Sequence, residues 1–383
     1  MLNWDDPIAG FQLNQNVLQM QDDNLNARDT ADDVISNNIV SETVSEKKQP
    51  QAVSVGDKKI VNGQGDINQL APFKYPWAWN FFLNANKNHW TPLDINMTKD
   101  VQDYHHKLTI EEKHLYENVL AYLTTSDILA MRNIGLAVME KMTAPELQIY
   151  QARQVYEEAL HTWTYQHCIE SIGIEQNEIY NRYRVVPQIY QKIQLANEYL
   201  DSVLKFDSDL SVRDNLEDFV YSYLFFAGVF EGCWFYNGFS PIFALQRRGL
   251  MTATAEQLQY IMRDEVLHCA FGIRVVNEIV KEENIIFDES RLSKMWSQCE
   301  AAEIDYANYI LPEPILGYSA NDHIEHFRFI ANRRAKQLNI SAPFPGAKNR
   351  LAWLDEQANT RKEKNFFETR VTEYQTGAAL SWE

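Results

Sequence analysis

From about residue 100 to about 340, apolar side chains recur at the three- and four-residue spacing of amphipathic helices, and few stretches alternate as strands do. Several boundaries can be read within this region. Thr109 with Glu112 forms a capping-box pattern, Thr143 followed by Pro145 and Glu146 marks another helix start, and Gly173 is placed to end the helix that carries His161. Asn237-Gly238 lies within or close after a helix around Glu231 without clearly ending it. Residues 1–68 lack this spacing and are rich in Asn, Asp, Gln and Ser, so they are expected to be mostly disordered. The segment APFKYPWAWNFFLNANKNHWTPLDI then places many aromatics between prolines, which suggests an extended arm laid on a helical bundle. After 340, Pro343, Pro345 and Gly346 break the pattern, leaving 341–383 as a short helix followed by a tail. The expectation is an all-α protein with one large bundle over 69–340.

The polar positions inside the apolar helices carry the chemistry. Glu158 and His161, and likewise Glu265 and His268, form Glu-x-x-His pairs whose members share one helix face. Asp127 and Glu231 fall inside two further helical segments, 31 residues before Glu158 and 34 before Glu265, close to what helix-plus-turn hairpins need to bring them level. One carboxylate from each of two helices with a Glu-x-x-His from each of two more is the ligand pattern of ferritin-like di-iron and di-manganese bundles, here with aspartate for one glutamate. Four carboxylates and two neutral imidazoles balance two divalent cations, and oxygen-rich ligation suits iron or manganese better than zinc. Each pair alone could be a satisfied core ion pair. A third match, Glu111-x-x-His114, sits in the charged stretch TIEEKHLYEN and reads as a solvated helix start.

Tyr165 lies four residues beyond His161 on the same face, in EALHTWTY. Phe235 and Phe239 follow Glu231 at +4 and +8, and Ile261 precedes Glu265 by four, so hydrocarbon is expected around the phenol. With these residues the chain resembles the small, radical-generating beta subunit of class I ribonucleotide reductase, Tyr165 standing at the position of the radical tyrosine. The resemblance extends to Trp90 in Trp90-Thr91-Pro92, to Asp264 immediately before Glu265, and to Tyr374 in the C-terminal tail. It implies that dioxygen and two metal ions generate a tyrosyl radical at Tyr165. The oxidising equivalent would then pass through His161, Asp264, Trp90 and Tyr374 to a large catalytic alpha subunit, which binds the tail and reduces ribonucleoside diphosphates. Homodimerisation is implied as well. A tyrosine at 165 departs from the subgroup with phenylalanine there and a mixed Mn/Fe pair, so iron is expected, with manganese or Mn/Fe compatible. The main alternative is a di-metal carboxylate oxidase or oxygenase built on the same bundle; an iron-storage protein and a metal-free helical adaptor are further alternatives.

Composition narrows the field. A formal charge of −18 argues against a nucleic-acid surface. Cys168, Cys233, Cys269 and Cys299 show no Cys-x-x-Cys spacing and read as reduced core thiols of a cytoplasmic protein. No run reaches the length of a membrane span, the first residues lack the features of a signal peptide, and there is no Gly-rich phosphate loop.

Overall fold

A computed structural model describes residues 54–61, 73–204 and 208–354. The described chain is helical, with one isolated bridge between Ile315 and Tyr318. Its helices are α1 (Pro76–Ala85), α2 (Thr98–His106), α3 (Ile110–Asn133), α4 (Met139–Lys141), α5 (Pro145–Ile172), α6 (Gln176–Val185) and α7 (Pro187–Leu204). These are followed by α8 (Arg213–Leu224), α9 (Tyr236–Arg247), α10 (Thr252–Glu283), α11 (Glu289–Ile310) and α12 (Ala320–Gln337). Two π-helical stretches, Ile134–Val138 after α3 and Phe225–Phe235 between α8 and α9, complete the framework. α3 lies along α5, and α10 lies along the Phe225–Phe235 stretch, so two helical pairs enclose the core. No described helix is long and apolar enough to cross a membrane.

Local chemistry sets the helix ends. Thr109 caps α3 by accepting from the Glu112 backbone N–H at 3.2 Å, while the Glu112 carboxylate accepts from the Thr109 N–H at 3.0 Å. α5 begins with Pro145 at its first position and stops at Gly173, whose φ of 82° is left-handed. α10 has no cap of its own. Asp100 of α2 supplies one, accepting from the N–H groups of Ala253 and Thr254 at 3.0 and 2.6 Å, and Asp103 accepts from Met251 at 3.2 Å.

Several expectations need correction. The aromatic segment is a helix where it was expected to be extended: Pro76 starts α1, and Ala78, Phe81 and Ala85 recur at i, i+3 and i+7 on its buried face. The proline-free run WAWNFFLNA allows this. Thr143 does not cap α5; its hydroxyl donates to the Lys59 carbonyl at 3.0 Å, and its N–H donates to the Ile60 carbonyl at 2.8 Å. Glu146 likewise turns outward from its own helix to accept from the N–H groups of Lys74 and Tyr75 at 3.1 Å each. Within the leading segment, residues 54–61 hold a short 3-10 turn and bury Ile60 and Val61 against the bundle. At the other end, Leu351 is buried, and the Phe344 backbone is held at both its N–H and its carbonyl by the Asn332 amide. Tyr374 lies outside the described residues.

Candidate metal centre

Asp127 comes from α3, Glu158 and His161 from α5, Glu231 from the Phe225–Phe235 π stretch, and Glu265 and His268 from α10. All six are completely buried. The π stretch departs from the regular helix expected around Glu231. Its irregular turns are compensated by the chain: the Arg334 guanidinium donates to the Gly232 carbonyl at 2.9 Å, and the Cys233 thiol donates to the Gly228 carbonyl at 3.1 Å. Gly272 brings α10 against this stretch so closely that a methyl group there would meet the Ala227 side chain.

The six side chains form two overlapping groups, Asp127, Glu158, His161 and Glu265 in one and Glu158, Glu231, Glu265 and His268 in the other, with ligand atoms within 4.8 Å of one another in each. Glu158 and Glu265 belong to both. Glu158 points Oε2 at His161 Nδ1 (3.7 Å) and Oε1 at His268 Nδ1 (3.1 Å). Glu265 points Oε1 at His161 Nδ1 (3.3 Å) and Oε2 at His268 Nδ1 (3.6 Å). Glu158 and Glu265 therefore each face both histidines, with Asp127 beside His161 at 3.2 Å on one side and Glu231 on the other.

The hydrogen-bond census tests whether metals fit. Both oxygens of Asp127, Glu158 and Glu265, one oxygen of Glu231, and Nδ1 of both histidines are buried without a hydrogen-bond partner. Such groups cost several kcal/mol when left unmade, roughly 1–3 each and more when charged. The opposite ring nitrogens are satisfied: His161 Nε2 lies 3.1 Å from Asp264, and His268 Nε2 lies 2.8 Å from Glu157. Each imidazole is thus held by Nε2 and presents Nδ1 inward as a donor to a metal, so the residues fit a pair of divalent cations.

Electrostatics agrees. Burial pushes the Asp127 and Glu231 carboxyls well above the usual carboxylate range, and neighbouring carboxylates add to the effect. At Glu158 burial is outweighed by the two histidines, which hold it at about 2. Both histidines, despite burial, are pushed well above their ordinary range by the surrounding carboxylates. Without cations the cluster shares protons. Cations would replace them.

Tyr165 is fully buried, and its hydroxyl has no hydrogen-bond partner. Burial first, then the charges of Asp127, Glu265 and Glu158, push its phenol well above the usual range. Phe235, Phe239 and Ile261 are buried in the same core, with Phe235 and Phe239 stacked at 6.5 Å between centroids. Trp90 is half-buried; its indole N–H donates to Asp264 at 3.4 Å, and its ring stacks with His161 at 6.5 Å and 22°. The Glu111–His114 pair joins neither group: Glu111 is exposed, and His114 contacts the Tyr309 carbonyl at 2.8 Å. All four cysteines are buried and free.

Four residues around the site were not anticipated. Glu157 holds His268; Gln154 donates to Glu231 at 2.7 Å; Asn88 donates to the second oxygen of Asp264; and Tyr260 stacks on Trp90 at 5.4 Å. Two of them had a signal. Glu157 precedes Glu158 just as Asp264 precedes Glu265, and Tyr260 lies one helical turn before Asp264.

Comparisons with known proteins agree with this geometry. The family described as "Ribonucleotide reductase, small chain" matches residues 67–350. A ribonucleoside-diphosphate reductase subunit beta from Chlamydia pneumoniae is 36% identical over 335 residues, covering 86% of this chain and 96% of that protein. Among solved structures, the ribonucleotide reductase R2 subunit from Clostridium botulinum superposes with a TM-score of 0.70 at 23% identity, covering 79% of this chain and 94% of the other. An R2-like ligand-binding oxidase with an aerobically reconstituted Mn/Fe cofactor gives 0.58 at 19% identity, covering 73% and 99%.

Proposed function

The chain belongs to the ribonucleotide reductase small-chain family, as the beta subunit of a ribonucleoside-diphosphate reductase, and we propose that Tyr165 is where it stores an oxidising equivalent. The observation that carries this reading is a buried, unpaired phenol whose charged neighbours are Asp127, Glu265 and Glu158. Asp127, Glu158, His161, Glu231, Glu265 and His268 would hold a metal pair, which would supply the dioxygen-activating redox chemistry that side chains lack. Iron is the metal proposed, because a tyrosine occupies position 165; manganese, present in the related oxidase, fits the same donors.

The chain's own residues account for the rest. Burial and three carboxylates oppose loss of the Tyr165 proton alone, so oxidation would take the ring electron and the Oη proton together, the electron to the metal pair that the six ligands would hold and the proton to the carboxylate-rich shell around it, leaving a neutral radical. The fully buried position keeps water and reductants from that radical. Asp264 accepts from the Trp90 indole and contacts His161 Nε2, joining the ligand shell to a half-buried tryptophan through one carboxylate. Gln257 donates to the Pro92 carbonyl at 2.9 Å and so pins the Trp90 loop to α10.

The proposed route outward runs from His161 through Asp264 to Trp90, and then through Tyr374 on a tail, 341–383, that docks on the large catalytic subunit. That subunit holds the ribonucleotide. The core over 69–340 houses the metal centre, and the working unit is a cytoplasmic homodimer. The oxidase reading shares the ligands, but its structural likeness is the weaker of the two.

The test combines metal analysis with electron paramagnetic resonance on protein loaded with Fe(II) and exposed to dioxygen. The wild type is expected to show a tyrosyl signal. Tyr165→Phe should load the same metal and lose the signal; a persisting tyrosyl radical in that variant would place it on another residue.

A further inference from the structure

The acids behind the two metal histidines are anchored on the same short loop. Asn88, two residues before Trp90, aims its side-chain amide at α10, where Nδ2 donates to Asp264 Oδ1 at 2.5 Å and to the Tyr260 carbonyl at 3.4 Å. Both hydrogens of the amide are thereby used on one helix. The Asp264 carboxylate is almost completely buried and meets two further partners with its other oxygen: Oδ2 lies 3.1 Å from His161 Nε2 and accepts from the Trp90 indole at 3.4 Å. The backbone of Asn88 is fixed as well. Its N–H donates to the Ala85 carbonyl at 3.1 Å, and its own carbonyl accepts from Arg153 Nη2 at 3.3 Å. Arg153 donates in turn through Nε to Glu157 at 2.8 Å, the acid that faces His268. One residue therefore meets the support of His161 with its side chain and that of His268 through its backbone.

We infer that Asn88 is a positioning residue whose amide locks the Asp264 carboxylate so that a single oxygen serves both His161 and Trp90. The inference rests on the outward route proposed above. The terminal torsion of an aspartate is broad and roughly two-fold, so nothing within Asp264 itself decides which way its oxygens face. The short amide bond to Oδ1 decides it, and leaves Oδ2 between the imidazole and the indole. The two contacts at Oδ2 have unequal margins. At 3.1 Å the histidine contact tolerates a small rotation of the carboxylate, whereas at 3.4 Å the indole contact lies at the limit of a hydrogen bond and is lost first. Loss of the Asn88 amide therefore uncouples Trp90 from Asp264 while His161 keeps its support, so the metal centre still assembles and its outlet fails.

The test follows the Trp90 indole N–H of full-length, metal-free protein by nitrogen-15 magnetic resonance, with Trp90→Phe to assign the signal. Asn88→Leu, of similar volume and without a donor, should move that resonance upfield and speed its exchange with solvent. In the complex with the large subunit it should lower turnover several-fold, with Fe(II) affinity and binding of the large subunit unchanged. Asn88→Gln, which keeps the donor on a longer arm, should recover part of both effects. Asn88→Asp keeps the shape but sets a carboxylate against Asp264, and is the deciding case if the leucine variant does not fold. An unmoved indole resonance in a folded variant would overturn the inference. So would equal losses in Fe(II) affinity and turnover, since the amide would then serve the metal histidine and not the outlet. A shifted resonance with undiminished turnover would instead remove Trp90 from the outward route and leave the positioning of Asp264 standing.

Discussion

His268 Nε2 lies 2.8 Å from the Glu157 carboxylate, and His161 Nε2 lies 3.1 Å from Asp264. Each histidine is thus held by the acid that immediately precedes the glutamate ligand of the opposite helix. The two Glu-x-x-His helices brace each other crosswise, so ring orientation in α5 depends on α10 and the reverse.

Glu157→Ala should therefore weaken metal binding on the His268 side, by roughly 10–100-fold as for lost carboxylate–histidine partners elsewhere. Chelator competition with Fe(II) or Mn(II) measures this. Glu157→Gln keeps an acceptor and should lose less. Arg153, whose guanidinium donates to Glu157 at 2.8 Å, provides the control: if Arg153→Met/Glu157→Ala restored full affinity, Glu157 would serve only to neutralise the arginine.

The meeting of the six proposed ligands in the core was legible because helical periodicity converts spacing directly into a shared face. The cross-braced partners were harder. Which acid supports which histidine depends on how α5 and α10 face each other, and no single helix encodes that. The π stretch at Glu231 was also hidden, since FFAGVFEGCWF is apolar all round and its widened turns are completed by Arg334, about a hundred residues away in α12. The α1 helix, by contrast, was written in the sequence as Pro76 followed by a spaced apolar face, and the flanking prolines obscured it.

Close approach of α10 to the π stretch makes Gly272 a sensitive position. Gly272→Ala would force its new methyl group onto Ala227, four residues before Glu231, and should cost about 1–3 kcal/mol by overpacking while loosening the second metal group. Ala227→Gly in the same chain removes the obstructing methyl group and should recover most of the loss. Urea unfolding of the single and double variants, together with metal titration, checks both halves; a Gly272→Ala protein as stable as wild type would show that the helices can part without cost.

Removal of residues 361–383, which lie outside the described part of the chain, should weaken binding to the large subunit by more than about tenfold. Metal content should not change, because the six ligands lie between 127 and 268. Tyr374→Phe separates docking from electron transfer: it should bind the large subunit normally and abolish turnover. Surface plasmon resonance and ribonucleotide reduction assays read the two effects, and normal binding by the truncated chain would remove the tail from the interface.

Metal removal should invert the pH dependence of stability. In the metal-free chain Asp127 and Glu231 have folded pKa values above their unfolded ones, as do His161 and His268. Each of these groups binds more protons folded than unfolded, so the stability they contribute is greatest in acid and falls as pH rises past the ordinary carboxylate range and then through the histidine range. Glu158, lowered to about 2, acts oppositely, but its contribution is complete above its unfolded value of 4.5 and adds no slope beyond it. The melting temperature of metal-free protein should therefore decline between about pH 5 and pH 8. Metals bind the deprotonated ligands and release protons, so the stabilisation they give should grow over the same interval. Calorimetry of the metal-free and Fe(II)- or Mn(II)-loaded forms, under anaerobic conditions, measures the two slopes. Parallel slopes would mean that the buried carboxylates are not the groups whose protons the metals displace.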